Sequence, residues 1–233
     1  MWCIIDEYQT LITGVLAVLA ALATIYLINR QIRQTKDIEA DRIRRKSRSA
    51  RAAMPAALSI MCQYADQCIA FVARAYEQVS EGKDPADAFA KERWLVPQLP
   101  DGVLVTMKDC VEFADEASAE KLAELLKETQ IQNSRFRRLV ESLSGEMRQE
   151  AAKFLDKASL ADDIIDAADL YVRLSGYFGY ARGIESEPNA QVDGKKVNVH
   201  LIFQGIDEGR FSGVFDRLKL RYKSLQHEAR KTD

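Results

Sequence analysis

Hydrophobic and polar positions follow two different rules along this chain. From Tyr8 to Asn29 no residue is charged, and the core from Leu11 to Ile28 is apolar on every face of a helix. From Pro55 onward the apolar residues recur at three- and four-residue intervals, the signature of helices that are apolar on one side only.

The first stretch predicts a membrane helix. Its 22 uncharged residues would rise roughly 33 Å, which matches a hydrocarbon core of roughly 30 Å. No water there satisfies backbone groups, so a lone span must be helical. Tyr8 and Tyr26 fall near its ends, where amphipathic rings prefer to lie. A cleaved signal peptide would carry a basic leader and a shorter apolar run; here Asp6 and Glu7 precede the run and the basic residues follow it. Thr10, Gly14, Ala17, Ala21 and Thr24 form one stripe of small residues, a face on which two helices can approach closely in lipid. The helix-packing positions expected from it are Gly14, Ala17, Ala21 and Thr24.

Next comes a basic collar without Gly or Pro. It holds Arg30, Arg33, Lys36, Arg42, Arg44, Arg45, Lys46, Arg48 and Arg51, nine cations against three acidic residues, or about +6. The first residues sum to -2 and the whole chain to -2, so everything after Arg51 sums to about -6. Positive residues resist translocation. The expected topology is a short extracytoplasmic segment at 1–7, a transmembrane helix at 8–29, a basic juxtamembrane helical stalk at 30–54 and a cytoplasmic helical domain at 55–233. The collar can also contact anionic headgroups. It lacks interleaved aromatics and matches no nucleic-acid module, so no nucleic-acid partner is expected.

The body reads as mostly all-α. Only 5 Pro and 11 Gly occur in 233 residues, and good helix formers are common. Pro55 predicts a kink or a new helix start. Leu58, Met61, Cys62, Ala65, Ile69, Val72, Ala73 and Tyr76 give one broad helical face, which Gly82 closes. Asp84-Pro85 opens a short helix toward Trp94. Pro97 and Pro100-Asp101-Gly102 read as a loop. Residues 103–114 and 197–203 fit strand or helix equally. Ser118–Leu143 is the clearest helix, ended by Gly145, and a shorter one is expected over Glu146–Asp156. Ser159 is the expected cap of a helix from Leu160 to about Arg182. Along it, Gly176, Gly179 and Gly183 point to a close neighbour. Residues 185–196 are turn-rich, and a last helix is expected from Phe211 to about Ala229.

Chemistry is sparse. Cys3, Cys62, Cys68 and Cys110 form no metal or disulfide pattern and read as reduced thiols. His200 and His227 have no partner at zinc spacing. The glycine-rich phosphate loops and the nucleophile elbow are absent. Asp162-Asp163-Ile164-Ile165-Asp166 resembles the DDxxD motif with which helical isoprenoid synthases hold magnesium diphosphate. The resemblance covers five residues, with no second acidic motif and no basic diphosphate cluster, so the run reads as a solvated acidic face extended by Asp169.

The expected function is protein–protein interaction or scaffolding by a membrane-anchored helical domain, without a cofactor and without catalysis. Two alternatives are an oligomeric membrane effector or signalling component, and a membrane-bound enzyme using Asp162, Asp163 and Asp166. The expected partners are the lipid bilayer and a protein, or a second copy. No small-molecule substrate is indicated, and the layout is one common in a bacterial inner membrane.

Overall fold

The computed structural model describes the backbone of residues 2–144, 155–189 and 191–232, and the side chains of 13–144, 155–189 and 191–223. Among the described residues every regular element is a helix. The order is α1 (Trp2–Ser80), α2 (Pro85–Lys91), α3 (Asp101–Glu112), α4 (Glu116–Ser144), α5 (Lys157–Gly176), α6 (Phe178–Ala181), α7 (Gly194–Phe203) and α8 (Ser212–Thr232). The chain divides into two compact units, Met1–Arg48 and Ser49–Asp233, with the boundary inside α1.

Within the first unit, α1 is long and apolar enough to cross a membrane, and none of its apolar window is buried in protein. Val15, Leu16, Val18, Leu19, Leu22 and Ile25 all stand exposed.

The second unit has two apolar cores. One gathers Met54, Leu58 and Met61 of α1 with Val103 and Met107 of α3, Leu122 and Leu125 of α4, and Leu170 and Leu174 of α5. The other gathers Ile69, Val72 and Tyr76 of α1 with Phe136 and Leu143 of α4, Leu160 and Ile164 of α5, and Val197 and Phe215 further along. The start of α4 thus shares a core with the end of α5, and the end of α4 with the start of α5. The two helices run antiparallel, while this part of α1 runs with α4. Each fully buried Leu, Ile or Phe in such a core contributes about 1.5–3 kcal/mol.

Local signals explain most boundaries. The Asp84 side chain accepts from the Ala86 N–H, and Pro85 takes the first helical position of α2. Gly82, just past α1, adopts φ +72°, a conformation only glycine enters freely. Of residues 103–114, those up to Glu112 resolve as helix, within α3, and Phe113 is its C-cap. Residues 197–203 are helical too, within α7, where the Asp193 carboxylate caps the Lys195 N–H.

Four boundaries differ from the sequence expectation. Helix α1 contains Pro55 and does not restart there. An interior proline forfeits one hydrogen bond, but Met54, Ala57 and Leu58 around it are buried in the core, and that packing carries the helix through. Pro100 is the N-cap of α3, so Asp101 and Gly102 are helical. Asp156, not Ser159, caps α5: its carboxylate accepts the N–H groups of Ala158 and Ser159 and the Ser159 hydroxyl. Helix α5 ends at Gly176 instead of continuing to Arg182. Gly145 and residues 146–154 of the helix expected before it lie outside the described residues.

Candidate functional site

The acidic motif lies on α5, and its surroundings decide its chemistry. Asp162, Asp166 and Asp169 project toward α8 at intervals of four and three. Helix α8 offers Arg217 and Arg221, four apart like Asp162 and Asp166, and Tyr222 beside them. Arg217 Nε donates to Asp162 at 2.7 Å, Arg221 reaches Asp166 at 2.6 Å and Asp169 at 3.1 Å, and the Tyr222 hydroxyl donates to Asp169 at 2.7 Å. The first two pairs are each separated by 55 residues, which requires α5 and α8 to run parallel in register. From the other side, Arg135 of α4 reaches Asp166 at 2.6 Å.

The row is therefore half-buried and answered by arginines, which corrects the expectation of a solvated acidic face. Side-chain exposure is 19% at Asp166 and 23% at Asp169. Bidentate, charge-assisted contacts of this kind join elements and leave few oxygens free for a cation. Among the described residues no group of His, Cys, Asp and Glu could hold a metal ion.

Asp163 is the exception in the row. Among the described residues no hydrogen bond or ion pair engages it, while Arg135 and Arg221 nearby are engaged by Asp166. It borders a cavity of about 450 Å³ lined by Arg135, Arg138, Leu139, Ser159, Asp162, Asp166 and Arg221. Burial pushes its carboxyl up to about 7, with Asp166, Asp162 and Asp156 adding repulsion and Arg135 opposing. Burial also raises Asp169, against the pull of Tyr222 and Arg221.

A second polar cluster sits on the inner side of α7. His200 Nε2 lies 2.9 Å from Asp66 Oδ1 of α1, and its ring stacks on Tyr171 of α5 at a centroid distance of 3.6 Å. This joins three helices through one side chain.

The collar cations behave differently. Arg30, Arg33, Lys36, Arg42, Arg44, Arg45, Lys46 and Arg48 are all exposed. Arg42 and Arg44 have neighbours one turn away, Glu39 at 3.6 Å and Asp41 at 3.8 Å, and exposed pairs of this kind contribute little. Arg51, grouped with the collar in the sequence, belongs to the second unit. Its guanidinium donates to the Tyr180 carbonyl at 3.0 and 2.6 Å and to the Glu185 carbonyl at 3.2 Å, and lies over the Tyr180 ring.

Gly14, Ala17, Ala21 and Thr24 are exposed in the first unit. The Thr24 hydroxyl donates to the Ala20 carbonyl one turn back at 2.8 Å, which satisfies that donor within its own helix. The glycines near the end of α5 divide into two kinds. A Cβ at Gly176 would collide with the Asn189 carbonyl, and one at Gly179 with the Glu185 carboxylate, so both are close approaches. Gly183 has open space but φ +75°, a turn requirement. The thiols of Cys62, Cys68 and Cys110 are free and buried. Burial raises Cys62 and Cys68 to about 12 and Cys110 to about 11, which keeps them protonated and inert.

The signal for the α5–α8 ladder was present in the sequence. Asp162/Asp166 and Arg217/Arg221 share the same four-residue spacing, and matching one against the other would have paired the helices. The His200–Asp66 contact had no such signal, because 134 residues separate the two.

Compared with known family models, curated proteins and solved structures, the chain matches none.

Proposed function

We propose that this chain is a single-pass membrane protein whose helical domain works in the cytoplasm through protein–protein contact, as a tether or scaffold rather than an enzyme. One observation carries the reading. The apolar window of α1 has no protein to cover it, while the second unit fills its own two cores without it. A soluble protein does not leave that many consecutive large apolar side chains in water. In lipid the same exposure is favourable.

Orientation follows from charge. The cations cluster after the apolar run and none precedes it in the chain, so the domain stays inside. Buried, protonated thiols suit a reducing compartment. The enzyme alternative draws no support from Asp162 and Asp166, whose carboxylates are held by Arg135, Arg217 and Arg221.

Reporter fusions after Asp233 test the topology. A reporter that works only in the cytoplasm is expected to be active, and one that works only outside to be silent. The reverse pattern overturns the orientation.

A further inference from the structure

A cavity of about 530 Å³ lies between the start of α7 and one face of α8. That volume falls among small-molecule sites, which run roughly 300–1,000 Å³. Its floor is apolar. Phe215, Leu218 and Tyr222 stand at i, i+3 and i+7 on α8, and Val192 joins them from the segment before α7. Phe215 and Leu218 are only 4% and 5% exposed. Gly194 sets how closely the two helices approach, because a Cβ there would lie 2.6 Å from the Tyr222 ring.

The polar groups of the lining are unequally engaged. Glu208 is taken by Lys219 at 2.6 Å. Asp193 accepts the Lys195 N–H at the positive end of α7. The side chains of Lys195 and Asn198 remain. They stand at i and i+3 on α7, so both border the same part of the cavity. Among the described residues no ion pair answers the Lys195 ammonium, and no hydrogen bond engages the half-buried Asn198 amide.

We propose that this cavity binds a small monocarboxylate with an apolar body. The carboxylate takes Lys195 and Asn198, and the body lies on Phe215, Leu218 and Tyr222. A cation fits worse, because both carboxylates of the lining are already engaged. A phosphate dianion fits worse as well, since its second charge would face Asp193 and Glu208 without a second free cation. The site goes beyond the tether reading and does not depend on the anchor.

The test uses the full chain in phosphatidylcholine nanodiscs at about pH 7.5. 4-(Trifluoromethyl)benzoate is titrated in and followed by fluorine NMR, with empty nanodiscs as the blank. Saturable line broadening beyond the blank is expected. The neutral 4-(trifluoromethyl)benzamide, of the same shape, binds about tenfold more weakly, and the cationic 4-(trifluoromethyl)benzylamine no better than to the blank. Lys195 is exposed, so Lys195→Met keeps the fold; it lowers benzoate affinity about tenfold and leaves the benzamide unchanged. Lys196→Met, outside the lining, changes neither. Benzoate bound no better than to empty nanodiscs overturns the proposal. So does an equal response of Lys195→Met and Lys196→Met, or benzylamine bound as well as benzoate.

Discussion

Helix α1 contains the same kind of side chain under two regimes. Between Thr13 and Ile28 the apolar residues face every direction and all are exposed. Between Met54 and Tyr76 they keep to one broad side, and Leu58, Met61, Ile69 and Tyr76 are fully buried. Composition alone does not separate the two stretches; angular distribution does. An apolar stripe asks for protein on one side and water on the other, while an apolar cylinder asks for a different solvent. Charge follows the same division. In the collar the cations are exposed and Arg42 and Arg44 pair only with acids one turn away, but on α5 and α8 the charges meet across helices.

If the comparison is right, equal truncations in the two stretches have unequal costs. Leu58→Ala leaves a cavity in a filled core and is expected to lower stability by about 2–5 kcal/mol in chemical denaturation of the full chain. Leu19→Ala is expected to leave that unfolding midpoint unchanged. Equal shifts would mean that both stretches are covered by protein.

The next largest effect belongs to Asp163. Its carboxyl is raised by burial to about 7, and in the unfolded chain it titrates near 4. The folded state therefore holds the proton more tightly. Its contribution is complete below about pH 4, is lost as pH rises through about 7, and is constant above that. Asp163→Asn is expected to stabilise the domain at pH 8 by about 2–4 kcal/mol and to flatten the decline between pH 4 and 7. An unchanged pH profile would show that Asp163 is solvated like a collar residue.

A smaller contrast lies in the arginines. Arg221→Gln leaves Asp166 without its α8 partner and Asp169 with Tyr222 alone, and is expected to cost about 1–2 kcal/mol. Arg44→Gln is expected to change stability by less than about 0.5 kcal/mol. A comparable loss at Arg44 in thermal unfolding would make the collar a structural element.

Much of the architecture was legible because it depends on near neighbours. Periodicity yields α4 and the second half of α1. Asp84-Pro85 yields α2, and Gly82 closes the helix before it. The errors arose where a distant contact outweighed a local preference. Pro55 reads as a kink or a new helix start, and the helix does not restart there, with Met54 and Leu58 around it buried in the core. The Val103-Leu104-Val105 run left helix and strand open, and Val103 and Met107 face a core in helical spacing. Asp162 to Asp169 reads as solvated because charges usually are, and only the register of α8 shows otherwise. Arg51 reads as collar by proximity, while its partners Tyr180 and Glu185 lie more than 120 residues away. For the site, the collar and the small-residue stripe were visible as patterns, whereas the His200 clamp and the cavity between α7 and α8 emerge only from the fold.

The membrane assignment of Thr13–Ile28 is the claim on which the functional reading depends. The direct measurement is retention in the bilayer after an alkaline carbonate wash, comparing the wild-type chain with Leu16→Arg/Leu19→Arg. The account predicts that the wild-type chain stays with the membrane. Two cations near the middle of the span cost about 5–7 kcal/mol in insertion, so the double variant should be released with its helical domain still folded. Release of the wild-type chain, or equal retention of both, would contradict it.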